Sequence, residues 1–254
     1  MSEQLIKAEI EGRILIITIN RPDKKNALTV AMYAAMAEAL RSASENAQVR
    51  AVLLTGADGA FTAGNDLIDF QQNPPAGPDA PVFQFMQAIL NLTKPLIVAV
   101  NGMGVGIGLT MLPHADVVLM ARSAFLSAPF VDLALVPEFG SSILLPRQIG
   151  HAMTSDIFLT GRRLTASEAC ECGLVSRVCD DNSIFDEAMK VAQIIAAKAP
   201  ESVRLTRELV RKSYTEELET RINEENILFG KRLRSPEFME AAMAFMEKRA
   251  PVFD

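Results

Sequence analysis

Apolar positions fall into short dense runs separated by polar, glycine-rich turns, and the spacing within each run predicts the elements. Residues 5–10 and 13–20 read as strands, with Glu11 and Gly12 as a hairpin turn. A polar loop with two adjacent lysines, Lys24 and Lys25, follows. Thr29 stands as an N-cap, and Met32, Met36 and Leu40 repeat at helical spacing to about Ser44. Residues 49–55 form a short apolar strand that Gly56 ends, and residues 61–70 (FTAGNDLIDF) read as a loop entering a helix. Residues 71–80, rich in Pro, Gly and polar side chains, read as a surface loop. A helix over 81–92 comes next, then strands over 95–100 and 116–121. Between those strands a short helix after Gly108 stops near Pro113.

This strand–helix–strand rhythm, with nearly continuous apolar strands, predicts an α/β fold with a mostly parallel sheet covered on both faces. After Glu138 the pattern turns helical, over 140–149, 151–160, 165–172, 185–199, 202–214, 216–234 and 236–249. Thr165 and Glu168 have the spacing of a capping box, and Ser235-Pro236 supplies an N-cap and a first helical proline. The chain therefore divides into a core over 1–199 and a helical region over 200–254. Met239, Met243, Phe245 and Met246 give the last helix an apolar side, expected to fold back on the core or to dock on another subunit.

Composition narrows the function. Of the 254 residues, 49% are hydrophobic and 22% charged, enough apolar matter for a sizeable core. A formal net charge of -6 argues against nucleic acid or an anionic membrane as the main partner. No apolar run approaches the ~18 residues of a membrane span, and the polar opening residues do not read as a signal peptide. Three cysteines, Cys170, Cys172 and Cys179, point to reduced thiols and a cytoplasmic setting. No metal is expected: His114 and His151 lack zinc-site spacing, and Cys170 and Cys172 diverge on a helix. A Gly-x-Ser-x-Gly elbow is absent.

Three places remain for chemistry. The run Gly102, Gly104, Gly106, Gly108 lacks the spacing of a dinucleotide loop. It is either a tightly packed strand-to-helix turn or a backbone N–H aimed at developing negative charge. Ala63-Gly64-Asn65-Asp66 is a second turn of the same kind, and Asp66 also suits a helix N-terminus. Glu138, among Leu133, Leu135, Val136 and Phe139, is either a helix-start acid or a desolvated carboxyl raised toward a useful base.

The segments Asn20 to Leu28 (NRPDKKNAL), Phe61 to Leu67 (FTAGNDL), Pro95 to Gly102 (PLIVAVNG), Ala166 to Val175 (ASEACECGLV) and Phe245 to Phe253 (FMEKRAPVF) resemble the crotonase, or enoyl-CoA hydratase/isomerase, superfamily in order along the chain. The resemblance implies a spiral of β-β-α units with a helical C-terminal region that mediates trimers, often paired into hexamers. It implies an acyl-CoA thioester substrate, CoA being part of the substrate and no separate cofactor being needed. It also implies an oxyanion hole made by the backbone N–H groups of Asn65 and Ile107. The Asn65 side chain would orient Glu138 or a water. For CoA it implies contacts from Lys24, Lys25, Ala27 and Leu28, from Ala63, Asp66 and Leu67, and from Phe245 and Lys248. Gly106 would border the same cleft.

Hydratases of the superfamily use two glutamates, at the places held here by Thr110 and Phe130. The acid stands instead at Glu138, after Leu135-Val136-Pro137. In this the chain is most similar to the peroxisomal-type Δ3,Δ2-enoyl-CoA isomerases, where one glutamate at this place is the base. A bacterial branch of isomerases acting on epoxidised or ring-opened phenylacetyl-CoA is similar here too. The resemblance thus implies an isomerase that moves a double bond from position 3 to position 2, with Thr110 and Phe130 helping to exclude water. A hydratase using Glu138 as its only acid, or a non-catalytic acyl-CoA-binding subunit, are the alternatives.

Overall fold

A computed structural model describes residues 4–75, 77, 79–212 and 215–253, with backbone alone at 215 and 216. In chain order β1 (Ile6–Glu11) and β2 (Ile14–Ile19) are followed by α1 (Val30–Glu45), β3 (Ala51–Gly56), β4 (Ala60–Thr62), α2 (Leu67–Gln72) and α3 (Pro81–Leu90). Then come β5 (Leu96–Val100), β6 (Met103–Val105), α4 (Ile107–Thr110), β7 (Val117–Ala121) and β8 (Phe125–Ser127). The second half holds α5 (Ser141–Ile149), α6 (His151–Thr160), β9 (Leu164–Thr165), α7 (Ala166–Glu171), β10 (Arg177–Cys179), α8 (Ile184–Ala196), α9 (Pro200–Arg211), α10 (Thr215–Arg232) and α11 (Pro236–Glu247).

Six strands form one sheet in the order β1-β2-β3-β5-β7-β10, parallel throughout except for the β1–β2 hairpin. All five residues of β5 are buried, as expected of a central strand covered on both faces. β4, β6, β8 and β9 make a second sheet. Each of β3, β5 and β7 steps through a short turn into the next strand of this second sheet, and helical segments follow. This is the expected β-β-α repeat. Its consequence is geometric: β4, β6 and β8 run parallel, with Thr62 beside Gly104 and Val105 beside Ser127. The segments that leave these strands, at 63–66, 106–107 and 129–130, therefore emerge on one edge.

Several boundaries differ from the sequence expectation. The short strands β4, β6, β8 and β10 were not separable by period, because three residues carry no periodicity. β4 occupies the start of the stretch read as a loop over 61–70. α4 begins at Ile107 rather than after Gly108, and Pro113 sits inside a 3-10 turn over Leu112–His114. The helix expected over 202–214 is α9; Ser213 and Tyr214 lie outside the described residues, as do Ala76 and Pro78 of the loop over 71–80. The capping box at Thr165 and Glu168 and the Ser235 N-cap both form.

The apolar side expected of the last helix is not buried in the chain: Met239, Met243, Phe245 and Met246 are exposed, and α11 packs instead through Phe238, Ala241, Ala242 and Ala244. The C-terminal helices fold back on the rest of the chain, α10 against α5 and α11 against the 3-10 turn Val131–Leu133. No helix among the described residues is long and apolar enough to cross a membrane.

Candidate active site

The loop over 21–28 is held to the edge of β4 by Asn26, a fully buried residue in the left-handed region at φ 58°. Its amide donates to Ala57 O at 3.0 Å and Ala60 O at 2.7 Å, and its Oδ1 accepts from Arg21 N at 2.8 Å. Leu28 then bridges to the next turn: Leu28 N–H donates to Gly64 O and Asp66 N–H donates to Leu28 O. These bonds leave the Asn65 N–H unspent.

Gly64 has φ +88°, and a Cβ there would lie 2.9 Å from Val105 O, so this turn lies directly against the end of β6. Gly106, at φ +57°, caps α4 and donates to Ser127 O at 2.9 Å, which leaves Ile107 N–H as the first orphan donor of that helix. Among the described residues neither Asn65 N–H nor Ile107 N–H meets a protein acceptor. Two free donors on adjacent turns are the arrangement that stabilises an oxyanion.

Both turns border one cavity of about 400 Å³. Lys24, Ala27, Ala63, Asp66 and Leu67 line it together with Pro129, Phe130, Leu133 and Leu135. α10 supplies Phe229, and α11 supplies Phe245 and Met246 from the same chain. Among the described residues the acids lining it are Asp66 and Glu138. Asp66 is engaged: it caps α2 through Ile68 N–H and Asp69 N–H and pairs with Arg21 at 2.7 Å. Burial alone would raise its pKa, but these bonds together hold it below the usual carboxylate value.

Glu138 is the free acid. It is 4% exposed, and its Oε1 has no hydrogen-bond partner among the described residues. Burial, seconded by the charge of Glu225, pushes its pKa up to about 8. The Thr110 hydroxyl beside it works in the other direction, although the pair falls short of hydrogen-bond geometry and Thr110 Oγ1 is also unpartnered. Tyr33, buried on α1, is raised well above its ordinary value by burial and then by Glu138.

The turn that carries Glu138 is strained. Phe139 has φ +59°, a region that costs a bulky side chain about 1–3 kcal/mol. The ring of His114 stacks on Phe139 with centroids 3.9 Å apart, and its Nε2–H donates to Phe139 O at 2.8 Å. Burial pushes the pKa of His114 down to about 3, so the imidazole is neutral, with its proton on the nitrogen that faces the carbonyl. Ser141 Oγ donates to Glu138 O at 2.6 Å.

Not every expected contact residue is at the cavity. Leu28 is fully buried and both of its backbone groups are spent on Gly64 and Asp66, so its part is to shape the Asn65 turn. Ala27 borders the cavity, but its N–H donates to Lys24 O and its carbonyl already accepts from Arg21. Lys25 and Lys248 are exposed, each in the left-handed conformation that ends a helix, and neither lines the cavity. Thr110 is buried behind the lining rather than in it. The Asn65 side chain accepts a 2.5 Å hydrogen bond from Tyr33 and makes none with Glu138. Tyr33, His114 and Glu225 were missed by sequence reasoning. A buried tyrosine in an otherwise Ala- and Met-rich helix was the one available signal. Among the described residues no group of acids, histidines and cysteines could hold a metal.

The chain belongs to the enoyl-CoA hydratase/isomerase family, whose model matches residues 9–254. It is 33% identical over 258 residues to the 1,2-epoxyphenylacetyl-CoA isomerase of Escherichia coli (strain K12), covering 98% of each chain. It is 35% identical over 263 residues to an enoyl-CoA hydratase of Mycobacterium tuberculosis (strain H37Rv), covering 96% of this chain and 94% of that one. A crystal structure of an enoyl-CoA hydratase/isomerase from Pseudoalteromonas atlantica T6c has a TM-score of 0.94 at 43% identity, covering 99% of this chain and 100% of that one. Isomerases and hydratases thus stand among its relatives at similar identity.

Proposed function

We propose that this enzyme is an isomerase that converts a 3-enoyl-CoA to the 2-enoyl-CoA, with Glu138 as its single acid–base group. The observation that carries the reading is the carboxyl inventory of the cavity. Glu138 is buried there with no partner for its Oε1 among the described residues, and Asp66 is tied up by Arg21. By the resemblance, Thr110 and Phe130 hold the places of the two hydratase glutamates. Hydration needs one group to activate water and another to deliver a proton. Isomerisation needs one carboxyl that takes a proton and returns it.

In this reading the N–H groups of Asn65 and Ile107 hold the thioester oxygen as negative charge builds on it. Glu138, ionised, removes a proton from C2 and leaves a dienolate. The same carboxyl then gives that proton to C4, so that the double bond ends between C2 and C3 and no water is consumed. A pKa near 8 makes the carboxylate a stronger base than a solvated one. The apolar wall of Phe130, Leu133, Leu135 and Phe229 keeps water from the dienolate. Lys24 is the cation at the rim available to a CoA phosphate, and Phe245 and Met246 close over the pantetheine side. No cofactor is required beyond the CoA of the substrate. We take the assembly to be a trimer or a pair of trimers; the exposed Leu205, Leu209 and Val210 on α9 and Ile227 and Leu228 on α10 support association.

The test is purified protein offered a 3-enoyl-CoA and, separately, a 2-enoyl-CoA. Conversion of the first, lost in Glu138→Gln, is the expected result. Rapid water addition to the second, unaffected by that substitution, overturns the isomerase reading and favours the hydratase one.

A further inference from the structure

The N-terminus of α5 immediately follows Glu138, and its cap residue, Gly140, has no side chain to offer. Ser141 N–H is met locally by Glu138 O, but the donors on either side of it are met from far along the chain. Glu225 Oε2 accepts from Gly140 N–H at 2.5 Å, and Oε1 accepts from Ser142 N–H at 2.9 Å. Glu225 is itself 5% exposed, on the face of α10 whose Leu218 and Ile222 close over Gly140. A buried carboxylate is a costly way to cap a helix, since burial opposes its charge and Glu138 lies close enough to feel it. A side chain at the cap cannot take its place, because a Cβ on Gly140 would lie 2.2 Å from Leu218. What Glu225 adds is a fixed connection between α10, which also lines the cavity through Phe229, and the strained turn Glu138–Phe139–Gly140.

We propose that Glu225 is a positioning residue for Glu138: its carboxylate clamps the backbone on one side of the strained turn, as His114 does on the other. The inference rests on the acid–base role proposed for Glu138. Burial raises the pKa of Glu225 on balance; the two N–H groups its oxygens accept from, and Arg221 one turn earlier on α10, work against that and favour the ionised form. The other groups around the pair do not supply the charge. Tyr33, from α1, is neutral and bonded to Asn65; His114 is neutral; Thr110, from α4, carries none. Arg147 on α5 is paired with Glu217 on α10, and Arg221 also pairs with Glu224.

Glu225→Gln keeps one acceptor and removes the charge; Glu225→Ala removes both. The plateau kcat is expected to fall roughly 100-fold in Glu225→Ala and less in Glu225→Gln, a loss of the size that misplacing a reacting group produces. KM for the CoA thioester should stay near that of the parent, because Glu225 does not line the cavity. In Glu225→Gln the rising limb of kcat against pH should move to lower pH. The ionisation of Glu138 itself is read by infrared difference titration of the carboxyl band, each protein against the same protein carrying Glu138→Gln. This readout needs no turnover, so it tests the coupling of Glu225 to Glu138 even if the isomerase reading fails. An unchanged Glu138 midpoint together with an unchanged plateau kcat in both variants overturns the proposal, and a lowered melting temperature alone assigns Glu225 to stability only.

Discussion

Replacing Glu138 by Gln should make the protein more stable while it destroys the activity, and the gain should depend on pH. The folded pKa of Glu138, about 8, lies above the ordinary 4.5 because burial penalises the charged form. Between these values the native state binds more protons than the unfolded one, so stability falls as pH rises through this window. Below about pH 4.5 the carboxyl is neutral in both states, and Gln should match it closely. At pH 7 the native protein must either keep a proton that the unfolded chain has lost or ionise a buried group. With pH 7 roughly 2.5 pH units above the unfolded value, at about 1.4 kcal/mol each, the wild type forfeits about 3 kcal/mol that Glu138→Gln does not. Glu225 shares in this effect, since losing its like-charged neighbour eases its own burial. Urea unfolding of both proteins at one concentration, at several pH values between about 4 and 8, gives the difference directly. Stability curves that run parallel across that range would refute the desolvation argument. In the same samples kcat should be down by roughly 10²–10⁴, the range that general acid–base catalysis supplies.

Other consequences can be checked separately. Because the base must be ionised, kcat/KM for the 3-enoyl-CoA should rise with pH along a limb centred near 8, and a limb centred near the ordinary 4.5 would argue against Glu138. Gly64→Ala forces a Cβ to 2.9 Å from Val105 O at φ +88°. It should lower kcat by roughly 10²–10³ through the Asn65 donor, with a stability cost of about 1 kcal/mol or more, both measurable in one preparation. Tyr33→Phe removes only a hydroxyl but strands the Asn65 Oδ1, so chemical denaturation should show a loss of about 1–3 kcal/mol. An unchanged midpoint for that variant would mean that solvent reaches the Asn65 side chain.

Much of this molecule was legible along the chain because it depends on near neighbours. The long strands, the Thr29 and Ser235 caps and the Thr165–Glu168 box are set by residues a few positions apart. Glu138 and the two glycine turns stood out because an isolated acid in an apolar stretch and a glycine turn before a helix are local patterns, and the resemblance then pointed to Asn65 and Ile107 within those turns. The limits are as physical. β4, β6 and β8 are strands only because they pair with one another, and their parallel pairing is what brings the Asn65 and Ile107 turns to one edge. Lys25, Leu28 and Lys248 belong to the same motifs as Lys24 and Phe245, yet none lines the cavity: Leu28 is packed in the core, and Lys25 and Lys248 are exposed at left-handed turns.

The amino-acid sequence by itself therefore singled out an isolated acid and two glycine turns as the places for chemistry. Tertiary structure decided whether that carboxyl is desolvated and its pKa raised. The pKa of Glu138 comes from burial by α10 and the rest of the fold and from Glu225, 85 residues beyond the turn that Glu225 clamps. Desolvation is a property of everything packed around a group, and no local pattern encodes it.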